Sequence, residues 1–126
     1  MSVVGQFAAG VAAAAPLLFF CLESLWFSRP RVHRRFGITD PAAVRAVRPM
    51  AFNQGFYNLF LALGAIAGIV ALHLDAVTVG RTLVVFACGS MALAGVVLLA
   101  TDRRFARAAA VQAVPPLVAV LATLAS

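Results

Sequence analysis

The stretch AFNQGFYNLFLALGAIAGIVALHL, residues 51–74, decides the fold class, because it contains no Asp, Glu, Lys or Arg. A bilayer core about 30 Å thick is crossed by roughly 20 apolar residues in a helix. The stretch is therefore predicted to form a transmembrane helix. Its beginning is nevertheless polar, since four hydrogen-bonding side chains lie close together there: Asn53, Gln54, Tyr57 and Asn58.

Three further apolar runs flank this stretch, and the four runs predict spans over residues 3–27, 51–74, 82–101 and 108–126. The chain is 63% hydrophobic and only 11% charged, whereas a soluble domain carries about 25% charged residues. We therefore predict an all-α integral membrane four-helix bundle, with roughly antiparallel helices, as a single transmembrane domain over residues 1–126. The first run is expected to be retained and not cleaved as a signal peptide, because no Lys or Arg precedes it and its apolar stretch is too long.

Arginine supplies all the basic side chains other than histidine, and nine of the ten lie in the first and third loops. The nine are Arg29, Arg31, Arg34, Arg35, Arg45, Arg48, Arg103, Arg104 and Arg107. The positive-inside rule places these two loops in the cytoplasm and both termini outside. We expect a multi-pass protein of the bacterial cytoplasmic (inner) membrane. Because these arginines flank apolar segments, their expected partners are the headgroups of membrane lipids and not nucleic acid.

The first loop is predicted to contain a short helix of its own. Asp40 is a good N-cap, Pro41 suits the first helical position, and Pro49 is expected to end the helix. Val44 and Arg45 would lie on different sides of this helix. Such a helix suits the cytoplasmic interface of the membrane.

The few polar side chains of the spans are expected to converge at one depth. Glu23 lies near the cytoplasmic end of the first span, roughly 6 Å inside the boundary at a rise of about 1.5 Å per residue. Gln112 lies at a similar depth in the fourth span, and the polar cluster of residues 53–58 opens the second. Gly64 and Gly68 continue the polar arc at a spacing that permits close helix approach.

Each of these side chains has a predicted role in a pocket near the cytoplasmic face. Glu23 is the candidate acid or base, and Tyr57 is the second candidate catalytic residue, because both can take part in proton transfer. Hydrogen-bonding and aromatic side chains would bind the ligand: Asn53, Gln54, Asn58, Gln112 and Trp26. We expect no metal and no cofactor, since neither His33 nor His73 belongs to a credible ligand set.

Three functions remain open from the sequence. The first is binding of a small lipophilic molecule, with isomerisation or protonation of that molecule by Glu23. The second is proton-coupled transport by a homodimer, which resembles the small multidrug exporters in outline only. The third is structural, because amides and phenols also join membrane helices to one another, at about 0.6 kcal/mol per hydrogen bond.

Three motifs carry a family resemblance: LESLW (22–26), NQGFYNLFLA (53–62) and VQAVPPL (111–117). They resemble the signatures of small bacterial integral membrane proteins known as the domain of unknown function 1304 family. The matching residues are Glu23, Trp26, Asn53, Gln54, Gly55, Tyr57, Asn58, Gln112 and Pro115. Leu59 departs from the pattern, since a glycine is usual there. The resemblance covers most of the chain and implies the four-span fold and the site, but no activity.

Overall fold

The computed structural model describes residues 3–125, and these residues form helices joined by short turns. The elements are α1 (Val3–Phe20), a π-helical turn (Cys21–Leu25), α2 (Pro30–Arg35), α3 (Pro41–His73), α4 (Val77–Thr101), a 3-10 turn (Arg103–Phe105) and α5 (Ala106–Ala125). Four helical segments are long and apolar enough to cross a membrane: Val3–Leu25, Pro41–His73, Val77–Thr101 and Arg103–Ala125. The predicted all-α, four-span membrane fold is confirmed. Three terminal positions of the predicted 1–126 domain, Met1, Ser2 and Ser126, lie outside the described residues.

The predicted break at Pro49 is wrong, because α3 continues through this proline to His73. Its start is as expected: Asp40 Oδ1 accepts a hydrogen bond from the backbone N–H of Ala42, at 3.3 Å. A proline inside a helix frees the carbonyl four residues earlier, which here belongs to Arg45. Both Arg45 and Pro49 are exposed, so that carbonyl is accessible to water and the helix need not end. The separate short helix of the first loop is α2 instead.

The chain divides into two compact units. One comprises the residues up to Ala15 together with those from Leu61 onward, and we call it the small-residue unit. The other comprises residues 16–60, and we call it the aromatic unit.

The core of the small-residue unit consists mainly of alanine. Its buried residues are Ala8, Ala9, Ala12, Ala13, Ala65, Val84, Ala87, Cys88, Met91 and Ala119. In lipid, helices associate through close van der Waals packing, which small residues permit. A Cβ added to Gly68 would lie 2.8 Å from Val84 Cγ2, and one added to Gly95 would lie 2.7 Å from Ala113 Cβ. These glycines therefore mark close helix approaches in the unit, as predicted for Gly68.

Hydroxyl groups in this unit satisfy their hydrogen bonds within their own helices. Ser90 Oγ donates to the Phe86 carbonyl and the buried Thr123 Oγ1 to the Ala119 carbonyl, each at 2.7 Å. In the turn before α5, Arg104 forms an exposed ion pair with Asp102 at 2.7 Å. The side-chain hydrogen bond from Arg104 holds the pKa of Asp102 below its ordinary value.

Phenylalanine rings fill the aromatic unit. The Phe20 ring, at the end of α1, meets the Phe56 ring of α3 edge to face, with centroids 5.2 Å apart. Phe52 and Phe60 flank Phe56 along α3, at 5.0 and 6.2 Å. Edge-to-face and tilted ring pairs stabilise such contacts by about 0.5–1.5 kcal/mol beyond the buried area. This packing holds the end of α1 against the first half of the α3 membrane span.

Candidate functional site

Glu23 lies in the π-helical turn Cys21–Leu25 at the end of α1. The backbone N–H of Trp26 donates to the Cys21 carbonyl at 2.8 Å, five residues earlier, which closes this wide turn. Single π-helical turns inside α-helices are rare and occur frequently at functional sites. A π-helical turn contains more residues than an α-helical turn. It therefore changes the direction of the side chains within and after it, including Glu23.

Ser24 holds the π turn against α3. Its Oγ donates to the Phe52 carbonyl at 2.7 Å. The helices approach closely at this point, because a Cβ added to Gly55 would overlap Ser24 Oγ. Gly55 therefore makes room for Ser24, which gives the glycine of the NQG motif a physical reason.

Asn58 and Glu23 come together, as the sequence predicts for the polar groups of the first and second spans. Asn58 Nδ2 donates to Glu23 Oε1 at 2.6 Å, in a partly buried position. The same amide lies 3.4 Å from the Gln54 carbonyl, one turn earlier in α3. One carboxyl oxygen of Glu23 is thus held in a fixed direction by an amide that is itself positioned by its helix.

An open cleft of about 340 Å³ adjoins this pair within the aromatic unit. It is lined by Glu23, Phe27, Phe36, Ile38, Val47, Met50, Ala51 and Gln54. The lining is apolar apart from the carboxyl of Glu23 and the amide of Gln54. Pockets for small molecules are typically of about this size and character, since apolar walls bind the ligand and a few polar groups orient it.

The predicted polar arc of α3 separates into two stripes. Gln54 and Asn58, one turn apart, accompany Glu23 as described above. Asn53 and Tyr57, also one turn apart, are exposed, and Tyr57 retains 60% of its side-chain accessibility. Neither lines the cleft. Their predicted roles in catalysis and ligand binding remain predictions.

Two other predicted site residues have different surroundings. Trp26 is half-buried, and the Arg29 guanidinium lies over its ring at 5.4 Å from the centroid, which is a cation–π contact. Gln112 belongs to the small-residue unit, where its Nε2 lies 3.4 Å from the Met91 carbonyl. The proposed contribution of Gln112 to the pocket also remains a prediction.

Ser24 and Phe27 belong to the site, although neither is among the residues that the sequence predicts there. Ser24 lies inside the LESLW motif, beside Glu23, but the sequence contains no signal for a π turn that directs it at Gly55. Phe27 is the last residue of the first predicted span, and it is buried and lines the cleft. Its burial depends on the loop, because the Phe36 ring packs on it at 5.8 Å.

The chemistry available here is that of one carboxyl group. Within residues 3–125, no group of three or more His, Cys, Asp or Glu side chains is placed to hold a metal ion. Glu23 can donate or accept a proton, while Gln54 and Asn58 can form hydrogen bonds to an oxygen of a ligand. The arrangement suits proton transfer to a bound molecule.

Comparison with known proteins gives one match. A family model described as "Protein of unknown function (DUF1304)" matches residues 10–124. No curated protein matches, and no solved structure matches. The match includes all three motifs that carry the resemblance in the sequence.

Proposed function

Since the chain belongs to the DUF1304 family, whose function is unknown, we propose a function from its own geometry: it binds a small lipophilic molecule in the cleft beside Glu23 and transfers a proton to or from it. The observation that carries the proposal is the position of Glu23. This carboxyl lines an apolar cleft and is oriented by Asn58 at 2.6 Å. A carboxyl group in a membrane span costs about 2.5–3.5 kcal/mol at mid-depth and less near the boundary, and for this reason such groups are rare and commonly functional.

The substrate that fits best has a long apolar part and one oxygen function. The apolar walls would bind the chain of such a molecule, while the amide of Gln54 would donate to a carbonyl or hydroxyl oxygen. Where that oxygen is a carbonyl, Glu23 would remove a proton from the carbon next to it, and the Gln54 amide would stabilise the resulting enolate oxygen. Glu23 would then return the proton to the same or another carbon. This is the chemistry of an isomerisation, and it needs no metal.

We also propose an orientation for the membrane protein. The first and third loops would lie in the cytoplasm and both termini outside, in a bacterial inner membrane, because the loops hold nine of the ten arginines. The cleft would then open near the cytoplasmic face. Alkaline phosphatase fused after the last residue should be active, since that enzyme folds outside the cytoplasm, and an inactive fusion would contradict the orientation.

Binding can be tested with an uncharged, long-chain alcohol that carries a photoreactive diazirine. In native membranes, labelling of cleft residues should saturate and be competed by excess 2-hexadecanone, whereas labelling of lipid-facing residues should rise linearly. Met50→Trp should abolish the saturable part by filling the cleft. Leu93→Trp is the matched control, because Leu93 is 69% exposed and belongs to the other unit. Labelling that never saturates would contradict the proposal.

Proton transfer can be tested with 2-hexadecanone in deuterated water. The wild-type protein should accelerate the incorporation of deuterium next to the carbonyl, as measured by mass spectrometry. Glu23→Gln should abolish the acceleration but keep the saturable photolabelling, because glutamine keeps the shape and an acceptor oxygen for Asn58. Equal incorporation with both proteins would remove Glu23 as the base.

A structural role is the second candidate, and a specific observation favours it. Ser24 donates to Phe52 and Asn58 donates to Glu23, so both polar contacts of the π turn join it to α3. If these contacts only hold helices together, Glu23→Gln should leave every property of the protein nearly unchanged. Loss of deuterium incorporation in a folded Glu23→Gln variant separates the two functions.

A further inference from the structure

A second cavity of the aromatic unit, about 260 Å³, has a different chemical character from the cleft. We call it the basic cavity, and it is lined by Ser28, His33, Thr39, Pro41, Val44, Arg45 and Arg48. Two arginines, a serine, a threonine and a histidine therefore line one small space, and their side chains carry guanidinium, hydroxyl and imidazole groups. All of these groups can donate hydrogen bonds, and two carry a permanent positive charge.

His33 connects this cavity to the fold. The imidazole is only 8% exposed, and its Nδ1 forms a hydrogen bond with the Ile38 carbonyl. If Nδ1 donates to this carbonyl, Nε2 is the ring nitrogen that can contact a ligand in the cavity. The packing of the loop therefore fixes the position of this imidazole in the wall of the basic cavity.

The surrounding charge is strongly positive. The loop that contains the cavity holds six arginines between residues 28 and 48, and Asp40 is its only acidic residue. The Asp40 carboxylate accepts a hydrogen bond from Ala42 N–H at the start of α3. The positive potential therefore exceeds what this single carboxylate can neutralise, and an anion is the expected ligand.

The basic cavity and the apolar cleft share a wall. Ile38 lines the cleft, and its carbonyl contacts His33, which lines the basic cavity. Phe27 also lines the cleft, and its ring centroid is 6.4 Å from that of His33. Along α3, Arg48 faces one cavity, while Val47 and Met50 face the other. An apolar site and a basic site therefore lie side by side within one unit.

We propose that the basic cavity binds the phosphate group of an anionic lipid whose acyl chain enters the cleft. This inference rests on the proposed function and names its substrate class. Arginine forks match the geometry of phosphate oxygens, and the hydroxyls of Ser28 and Thr39 supply further donors. A phosphate that is covalently joined to an apolar chain would use both cavities at once.

The single tryptophan of the chain provides the measurement. Trp26 belongs to the same unit, so its fluorescence should be quenched by brominated lipids bound there. The protein is reconstituted in phosphatidylcholine vesicles that contain increasing fractions of brominated phosphatidylglycerol, and the quenching curve gives the relative affinity of the two lipids. We expect a saturable preference for phosphatidylglycerol in the wild-type protein.

Removal of the cavity arginines should abolish this preference. Arg45→Gln with Arg48→Gln should lower the relative affinity roughly tenfold or more, since the two arginines that line the cavity would lose their charge-assisted hydrogen bonds to the phosphate oxygens. Arg31→Gln with Arg35→Gln is the matched control: it removes the same charge from exposed positions of the same loop that do not line the cavity. The control should keep most of the preference. If both double variants lose the preference for phosphatidylglycerol equally, the lipid is attracted by the charge of the whole loop, and the proposal of a specific phosphate site is wrong.

Two further results are decisive. Inorganic phosphate, added at the concentration of the brominated lipid, should not relieve the quenching. If it does, the cavity binds free phosphate, and the proposal of a lipid ligand is wrong. Saturable labelling of the cleft by the uncharged diazirine alcohol provides the separate test of the proposed function. If that labelling persists without any preference for phosphatidylglycerol, the lipid inference fails and the proposed function stands. If cleft labelling is absent, the proposed function itself fails.

Discussion

The two units of this protein pack their helices with different residues, small ones in one unit and phenylalanine rings in the other. In the small-residue unit, alanines and glycines let the helices come so close that a single added Cβ would collide with a neighbour. In the aromatic unit, phenylalanine rings and a loop separate the elements, and two cavities of about 340 and 260 Å³ result. The small-residue unit also has open space, in a groove lined by Arg81, Thr82, Val85, Phe86 and Leu124, but no carboxyl group lines that groove. In the aromatic unit, the carboxyl-bearing residue Glu23 lines the cleft.

The difference also concerns polar groups. Four hydroxyls of the small-residue unit donate to carbonyls of their own helices, so these hydrogen bonds do not join one helix to another. In the aromatic unit, Ser24 and Asn58 bond across to another element. The small-residue unit also has a contact between helices, but it runs from the Gln112 side chain to the backbone carbonyl of Met91. A site needs side chains that meet from different segments of the chain, and the Asn58–Glu23 pair of the aromatic unit is such a meeting.

The largest effect is expected where the small-residue unit has no free space. Gly95→Val should lower the free energy of unfolding by about 3 kcal/mol or more, because overpacking typically costs about 1–3 kcal/mol and here the neighbours include backbone. The Ala109 carbonyl would lie 3.0 Å from the new Cβ. Thermal denaturation in detergent measures the loss. Gly89→Ala in the same helix is the control, since nothing lies within 4 Å of its Cβ, and an equal loss there would refute the close-packing argument.

The next effect concerns the carboxyl of the aromatic unit. Glu23→Ala removes the acceptor of the Asn58 amide, and an unsatisfied buried donor costs about 1–3 kcal/mol. Glu23→Gln keeps an acceptor and should cost less than about 1 kcal/mol. The same denaturation assay compares the two variants. If both variants lose stability equally, the Asn58 contact does not orient this side chain.

Gly55→Ala should have a somewhat smaller effect, about 1–2 kcal/mol, because the methyl group displaces Ser24 Oγ and its net hydrogen bond contributes about 1 kcal/mol. Ser24 Oγ can rotate away from Gly55, although the Cβ and the backbone N of Ser24 would still lie 3.0 and 3.1 Å from the new methyl group. Combining Gly55→Ala with Ser24→Ala should recover part of the loss, since one collision disappears. Strictly additive losses in this double-mutant cycle would show that the two residues do not interact.

The smallest effect is expected at the exposed ion pair. Arg104 holds the pKa of Asp102 below the ordinary aspartate value of about 3.9. The ionised form is therefore favoured by folding, so its stabilisation is present above that value and is lost as the pH falls through the lowered pKa. Asp102→Asn should remove this pH-dependent contribution to the free energy of unfolding and change the stability little otherwise. Thermal denaturation between about pH 7 and pH 3 tests it, and identical pH profiles for the two proteins would contradict the prediction.

Some of the candidate site follows from sequence, and some does not. The meeting of Glu23 with Asn58 is predictable, because one carboxyl and one amide cluster at the same depth of two antiparallel spans have few other partners. The separation of Tyr57 from Gln54 is not predictable, because residues three apart are neighbours on a helix surface and only packing decides which one lines the cleft. The continuation of α3 through Pro49 is likewise decided by exposure and not by proline alone.

The sequence by itself determined the membrane as solvent, the four helical spans and the family, because long runs without charge have one stable conformation in lipid. It also determined which side chains must find partners, since polar groups are few and costly there. Only the tertiary structure decided that α1 ends in a π turn, that Ser24 fits against Gly55, and that an apolar cleft and a basic cavity share a wall. The reason is physical: hydrophobicity and helix period are local properties, whereas free space and hydrogen-bond direction arise only where distant segments of the chain meet.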